Sequence, residues 1–117
     1  MLKGQASVVQ PVKLVWMPAV LTSKVPVQVA FSVPKRNFPR AVDRNRIKRQ
    51  LRECYREHKN KLYDFVNDSN KQYAIMIVFT SKKAVPFSEL MLKFTLTLQR
   101  FEKDSKKHIE PHHDTAD

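Results

Sequence analysis

Apolar residues recur along this chain with two different periods, which predict three strands and two helices. Strands are indicated where branched or aromatic residues cluster between prolines or alternate with polar ones, at Val12–Met17, Val27–Val33 and Tyr73–Phe79. Helices are indicated where apolar residues recur every three or four positions, from near Pro39–Asp43 to about Val66 and from Phe87 to about Lys103. We therefore predict an α+β fold, with one small sheet packed against a long helix and a C-terminal helix.

The predicted strands differ in how many of their faces are apolar. Val27–Val33 alternates, so Gln28, Ala30 and Ser32 share a small, polar face on which a ligand could lie. Tyr73–Phe79 is apolar throughout, which is typical of a central strand buried on both faces. Inside the second predicted helix, Lys93–Leu98 also alternates, so a strand remains an alternative there.

The length of 117 residues indicates one domain, which we place at residues 1–104. Residues 1–11 have no clear period and are expected to form a loose lead-in, whereas the polar tail at residues 105–117 is expected to be disordered. The single glycine excludes glycine-rich phosphate loops. The single cysteine excludes an internal disulfide and a cysteine-based zinc site, and is consistent with a reducing cytoplasmic compartment.

Positive charge is concentrated in one stretch of the chain. The formal net charge is +11, and Lys35–Lys61 holds eleven Lys/Arg residues against three acidic ones. Such a surplus points to a polyanionic partner, either nucleic acid or an anionic membrane. Because no apolar run reaches the roughly 18 residues that span a bilayer, and no signal peptide is recognisable, we expect no membrane partner.

The long helix is predicted to carry three stripes: an apolar one, an acidic one and a basic one. The basic stripe contains one asparagine and five cations, which are Arg44, Asn45, Lys48, Arg49, Arg52 and Arg56. Like charges at this spacing repel, so the stripe predicts an external anion that neutralises it. Arg46 falls on the acidic side, where it could pair with Asp43 or reach a ligand beyond the end of the helix.

Among polyanions we favour RNA, because no helix-turn-helix pair or dimerising heptad is present and an open sheet face suits a single strand. DNA is not expected as a partner. Metal-dependent catalysis needs clustered carboxylates, and the acidic residues here are scattered. His58 and Cys54 fall on the apolar stripe and are expected to be packed. Trp16 is expected in the core, with base stacking as an alternative.

The stretch Ala41–Arg49, AVDRNRIKR, resembles the AVxRNRxKR motif of the protein subunit of bacterial ribonuclease P. Arg52-Glu53 fits the helix that follows this motif in the family. Phe31–Arg36 resembles the strand and basic segment before the motif, and Tyr73–Phe79 resembles the strand after the helix. The resemblance covers about residues 12 to 103.

The resemblance implies a mixed sheet with a left-handed crossover through the motif helix. It implies a non-catalytic subunit of a ribonucleoprotein endonuclease, whose RNA holds the Mg²⁺ ions and performs catalysis, with no cofactor on the protein alone. The implied partners are ribonuclease P RNA, bound by the motif residues including Arg46, and precursor tRNA. The implied contacts to the 5′ leader of precursor tRNA come from Ala30, Ser32, Lys35 and Arg36, and at a shifted position from Lys82 and Lys83.

Two departures from the family pattern bear on this interpretation. The chain begins close to its first predicted strand, so the family's N-terminal helix, and with it one wall of the leader cleft, is expected to be missing. The segment before the motif is one residue longer, and Pro39-Arg40 replaces the usual glycine-containing turn. Two other functions remain open: a general RNA-binding or ribosome-associated protein without a role in cleavage, and a stand-alone nuclease.

Overall fold

The computed structural model describes residues 5–19, 26–68 and 71–115. It confirms the α+β class, with one four-stranded sheet and two long helices. The elements in chain order are β1 (Gln5–Val9), β2 (Val12–Pro18), β3 (Val27–Ser32), α1 (Ala41–Asp68), β4 (Tyr73–Phe79) and α2 (Phe87–Thr115).

The sheet is mixed, and its strand order is β1-β2-β4-β3. β2 pairs antiparallel with both β1 and β4, whereas β3 pairs parallel with β4 in a register that sets Ala30 opposite Met76. A parallel pair needs a crossover connection, and α1 supplies it. The C-terminal ends of β3 and β4 therefore lie at the same edge of the sheet. The left hand of this crossover stays a prediction from the resemblance.

Both helices pack on one face of the sheet and form the core with it. From the predicted apolar stripe of α1, Ile47, Leu51, Cys54 and Leu62 are buried, and Val66 is buried beside the half-buried Phe65. Trp16 lies at the centre, with its ring 5.9 Å from that of Tyr73 and 5.3 Å from that of Phe101. Trp16 is 1% exposed, so it is a core residue and the base-stacking alternative is wrong.

Both ends of the chain are more regular than predicted. The prediction of a loose lead-in is wrong for residues 5–9, because these residues form β1 on the edge of the sheet. Ser7 is buried and its hydroxyl donates to Asp104 Oδ2 on α2 at 2.8 Å, which fixes the edge strand to the helix. The prediction of a disordered tail is wrong for residues 105–115, because α2 continues to Thr115 and Ser105 is buried. The strand alternative at Lys93–Leu98 is also wrong.

The second face of β4 is open, which corrects the prediction that this strand is buried on both sides. Tyr73, Ile75, Ile77 and Phe79 face the helices and are buried, whereas Met76 on the opposite face is 45% exposed. The apolar run of β4 therefore serves two purposes. One set of alternate residues builds the core, and the other forms the middle of an accessible sheet surface.

Candidate nucleic-acid interface

The exposed cations of α1 are concentrated in its leading half, residues 41–52. This half holds five Lys/Arg residues against one acidic residue, whereas the trailing half, residues 53–68, holds three against four. Asn45, Arg46, Arg49 and Arg52 are exposed and Lys48 is half-buried. Within the parts of the chain that the structure describes, none of the cations at positions 46, 48, 49 and 52 forms an ion pair. The leading half therefore presents uncompensated positive charge to solvent.

Arg46 does not pair with Asp43, which was one of the two alternatives for this residue. The Asp43 carboxylate instead lies near Arg40, with Oδ2 4.0 Å from Nε. Asp43 also sits in the first turn of α1, where a negative charge complements the helix dipole. The Arg46 guanidinium is thus left exposed and able to contact a ligand beside the start of the helix.

Arg44 is engaged inside the protein, which changes what can be expected of it. Its Nη1 donates to the backbone oxygens of Phe38 and Pro39, each at 2.9 Å. The Phe38 ring is buried and lies 5.8 Å from that of Phe79. Arg44 therefore holds the turn at residues 34–40, which carries Lys35 and Arg36. The guanidinium of Arg44, which the resemblance assigns to RNA binding, is therefore partly occupied by backbone acceptors.

Arg56 was predicted on the basic stripe, but its side chain turns toward the acidic one. Its Nη2 contacts the Glu53 carboxylate and lies 3.5 Å from Glu57 Oε2. The hydrogen bond from Arg56 holds the pKa of Glu53 below its usual value, and the same bond raises the pKa of Arg56. The basic stripe of α1 is therefore interrupted at Arg56, one turn after Arg52, whose guanidinium carbon lies 5.7 Å from the centre of the Phe31 ring.

The open face of the sheet contains a shallow groove of about 580 Å³. Ala30 is exposed within it and Ser32 is half-buried one alternation further along β3, as the alternating pattern of that strand predicted. The small, polar character expected of this face holds for β3 alone. β2 and β4 add an apolar floor from Val15, Met17, Ala74 and Met76.

A second depression, which we call the basic hollow, lies at the edge of the sheet where β3 and β4 end. It has a volume of about 550 Å³ and is lined by Arg36, Asn37, Thr80 and Lys82. Thr80 is four residues beyond Met76, so the hollow lies about 13 Å from the middle of the groove along an extended strand. Lys35 and Lys83, the neighbours of its two cations, are exposed.

The basic hollow brings together two predicted residues, Arg36 and Lys82, that are far apart in the sequence. It also contains two residues that the sequence interpretation missed, Asn37 and Thr80. A signal for them was available, since the C-terminal ends of neighbouring parallel strands meet at one edge. Polar residues that directly follow β3 and β4 were therefore candidates for a shared site.

The remaining candidate catalytic groups are built into the packing between α1 and α2. His58 lies between the helices, with Nδ1 2.9 Å from the Cys54 backbone oxygen and Nε2 2.8 Å from Thr95 Oγ1. Cys54 is fully buried, and this burial, helped by Glu53 and Glu57, raises the pKa of its thiol to about 11. The predicted packed positions of both residues are confirmed.

The described residues contain neither a cluster of metal ligands nor a helix that could span a membrane. Within residues 5–19, 26–68 and 71–106, no group of three His, Cys, Asp or Glu side chains lies close enough to hold a metal ion. In the same ranges, neither helix has an apolar segment that could cross a bilayer.

Comparison with known proteins identifies the fold and the family. The structure resembles the ribonuclease P protein of Thermotoga maritima, with a TM-score of 0.64 at 19% identity and 83% of each chain covered. It also resembles that of Staphylococcus aureus, with a TM-score of 0.63 at 18% identity, covering 82% of this chain and 79% of the other. At these identities the two likenesses show a shared fold.

Relatives that are similar in sequence add evidence for the family. The ribonuclease P protein component of Chlorobaculum tepidum is 56% identical over 45 residues, which are 38% of this chain and 29% of the relative. That of Porphyromonas gingivalis is 33% identical over 85 residues, which are 73% of this chain and 62% of the relative. The matches thus span less than two thirds of these relatives' lengths. The sequence profile of the family Ribonuclease P matches residues 2–102, and the chain therefore belongs to the ribonuclease P protein family.

Proposed function

We propose that this chain is the non-catalytic protein subunit of a cytoplasmic ribonuclease P. In this proposal it binds the catalytic RNA subunit and the 5′ leader of precursor tRNA, and so assists the endonucleolytic removal of that leader. The observation that carries the proposal is the leading half of α1, where Arg46, Lys48, Arg49 and Arg52 lie at the family motif and form no ion pair with any described residue. Membership of the family supports ribonuclease P RNA as the proposed partner.

The leading half of α1 is suited to docking on folded RNA. Arg46, Lys48, Arg49 and Arg52 project as cations along about two turns of helix, and Asn45 beside them can hydrogen-bond a sugar or a base edge. Guanidinium groups can engage phosphate oxygens bidentately, and binding of this kind weakens as salt rises. Arg44 contributes by shaping the neighbouring turn, and Arg56 is left outside the contact.

The leader is proposed to follow the open sheet face from the groove to the basic hollow. Ala30 leaves space for a strand of RNA on β3, and the apolar floor around Met76 can contact bases. Ser32 lies between the groove and the hollow, where Lys35, Arg36, Lys82 and Lys83 offer charge to phosphates. An apolar floor that ends in a basic rim suits a single strand with exposed bases better than a duplex.

The Mg²⁺ ions of the reaction are proposed to be held by the RNA subunit. Three of the five carboxylates of α1 are already placed against cations, Asp43 near Arg40 and Glu53 with Glu57 around Arg56. Such pairs are poor starting points for a cation site, because each carboxylate would have to exchange its present partner. The protein's role is then to reduce phosphate repulsion between the two RNAs.

Reconstitution tests the proposal. The full chain is mixed with a bacterial ribonuclease P RNA and a precursor tRNA at a low Mg²⁺ concentration at which the RNA alone cleaves slowly. We expect the protein to restore release of the leader at the mature 5′ end. RNA binding without any gain in cleavage would instead support a general RNA-binding protein. Cleavage by the protein without the RNA subunit, abolished by a chelator, would support a stand-alone nuclease.

A further inference from the structure

The basic hollow is built from two turns that are each fixed by contacts within the protein. The turn at residues 34–40 is held by Arg44, whose Nη1 donates to the Phe38 and Pro39 oxygens. The turn at residues 80–83 is held by the Thr80 N–H, which donates to the Pro11 oxygen at 2.8 Å, and by Ser81. The Ser81 hydroxyl donates to the Lys83 oxygen and accepts from the Lys83 N–H. A preformed site of this kind loses little entropy when a ligand binds.

The charge and volume of the basic hollow suit a nucleotide. Arg36 and Lys82 supply two cations in one concave site, which is the arrangement that a phosphate group prefers. A volume of about 550 Å³ is larger than a single phosphate needs and falls in the range of small-molecule sites. The site therefore has room for the sugar that adjoins the phosphate.

Thr80 gives the basic hollow a means to recognise ribose. Its hydroxyl proton is already donated to Gln10 Oε1 at 2.8 Å, so Oγ1 is left as a hydrogen-bond acceptor. A ligand group that contacts Oγ1 must then be a donor. The ribose 2′-hydroxyl is such a donor, and it is the group that distinguishes RNA from DNA.

We propose that the basic hollow binds one ribonucleotide of a single strand and selects RNA over DNA through Thr80. The phosphate lies between Arg36 and Lys82, and Thr80 Oγ1 accepts from the 2′-hydroxyl of the adjoining ribose. Asn37, which has both a donor and an acceptor, hydrogen-bonds the same nucleotide. The identification of this strand as the leader rests on the proposed function, whereas the selection of ribose rests on the hollow itself.

The test compares an RNA octamer with the DNA octamer of the same sequence, chosen without uridine or thymidine. Binding of each fluorescent strand to the full chain is measured by anisotropy at low salt. We expect the wild-type chain to prefer RNA by about fivefold, as one lost hydrogen bond implies. Thr80→Val should abolish the preference, and Thr80→Ser should retain it. Arg36→Gln and Lys82→Gln should weaken both strands alike, whereas Lys71→Gln, at the other end of β4, should weaken neither.

A second variant tests whether the preference for RNA comes from the Thr80 hydroxyl itself or from its hydrogen bond to Gln10. Gln10→Ala removes the acceptor of the Thr80 hydroxyl but leaves that hydroxyl in place, so it should keep the preference for RNA. A Thr80→Val chain that prefers RNA as strongly as wild type would overturn the proposal. So would a Gln10→Ala chain that has lost the preference. The assay contains no RNA subunit, so its outcome is independent of the reconstitution that tests the proposed function.

Discussion

The two halves of α1 continue one helix but differ in charge, with cations in clear excess in the leading half and acids in slight excess in the trailing half. Among the described residues, the leading-half cations at positions 46, 48, 49 and 52 form no ion pair, whereas in the trailing half Arg56 is paired with Glu53 and Glu57. Both halves contribute residues to the same core, Ile47 and Leu51 from one and Leu62 and Val66 from the other. We therefore expect RNA binding to follow the charge that the protein leaves uncompensated, and not the number of cations alone.

The largest expected difference between the two halves is in RNA affinity when three cations are removed from each half in turn. Lys48, Arg49 and Arg52 changed together to Gln should weaken binding to ribonuclease P RNA by tenfold or more, and should lower the salt slope of log K by about three. The matched control changes Arg56, Lys59 and Lys61 to Gln, with the same loss of formal charge. Filter binding across a salt series measures both. Equal losses from the two triple variants would contradict the comparison.

Within the leading half, we expect Arg44 to contribute mainly to the stability of the fold and Arg46 to contribute mainly to RNA binding. Arg44→Ala removes the two hydrogen bonds to the 34–40 turn and should lower the free energy of unfolding by about 1 kcal/mol. Arg46→Ala removes an exposed cation and should leave stability within about 0.5 kcal/mol of wild type while it weakens RNA binding. Urea denaturation and RNA binding of both variants provide the check. Equal stability of the two would show that the Arg44 contacts are unimportant for folding.

Cys54, near the start of the trailing half, should make the free energy of unfolding of the chain depend on pH. A thiol loses its proton near pH 9 in the unfolded chain, whereas in the folded chain its pKa is raised to about 11. The folded state thus holds the proton more tightly, so its stability should fall as the pH rises from 9 to 11, by about 1 kcal/mol at pH 10. Urea midpoints of wild type and Cys54→Ala across this range measure the difference. Parallel curves would exclude the effect.

Removing an ion-pair partner of Arg56 should leave this arginine freer to contact RNA, as the cations of the leading half are proposed to do. Glu53→Ala removes the first partner of Arg56, and affinity for ribonuclease P RNA should rise by about twofold at low salt. Asp64→Ala removes an equal charge from an exposed position but releases no arginine, so its effect should be smaller. An affinity that does not change in Glu53→Ala would mean that this part of the helix lies away from the RNA.

Much of the fold could be predicted from periodicity, because most elements pack one clear apolar face against the core. α1 and the strands β2 and β4 fall close to their predicted positions, and α2 begins at the predicted Phe87 but continues past Lys103 to Thr115. β1 was missed because an edge strand with one neighbour needs little apolar sequence, and Gln5–Val9 has only one buried residue. The open face of β4 was missed because an apolar run does not say whether a second layer of structure covers it.

The candidate site was predictable in location but not in detail. A helical wheel gives the direction of each side chain, and it placed the cations of the leading half correctly on the surface. It does not give the partner that a long side chain finds, so the contacts of Arg44 and Arg56 appeared only in the structure. Arg44 did carry a hint, since it projects only about 60° from Ile47, at the border of the apolar stripe.

Tethered cleavage of the RNA subunit tests most directly whether the leading half of α1 is the docking surface. A cysteine is introduced by Ala41→Cys in the leading half or by Asn60→Cys in the trailing half, each in a Cys54→Ala background and each at an exposed position. An iron chelate is attached to it, and the complex with ribonuclease P RNA is exposed to peroxide. We predict strong, localised strand scission from position 41 and little from position 60. Scission from position 60 that equals or exceeds that from position 41 would contradict the account.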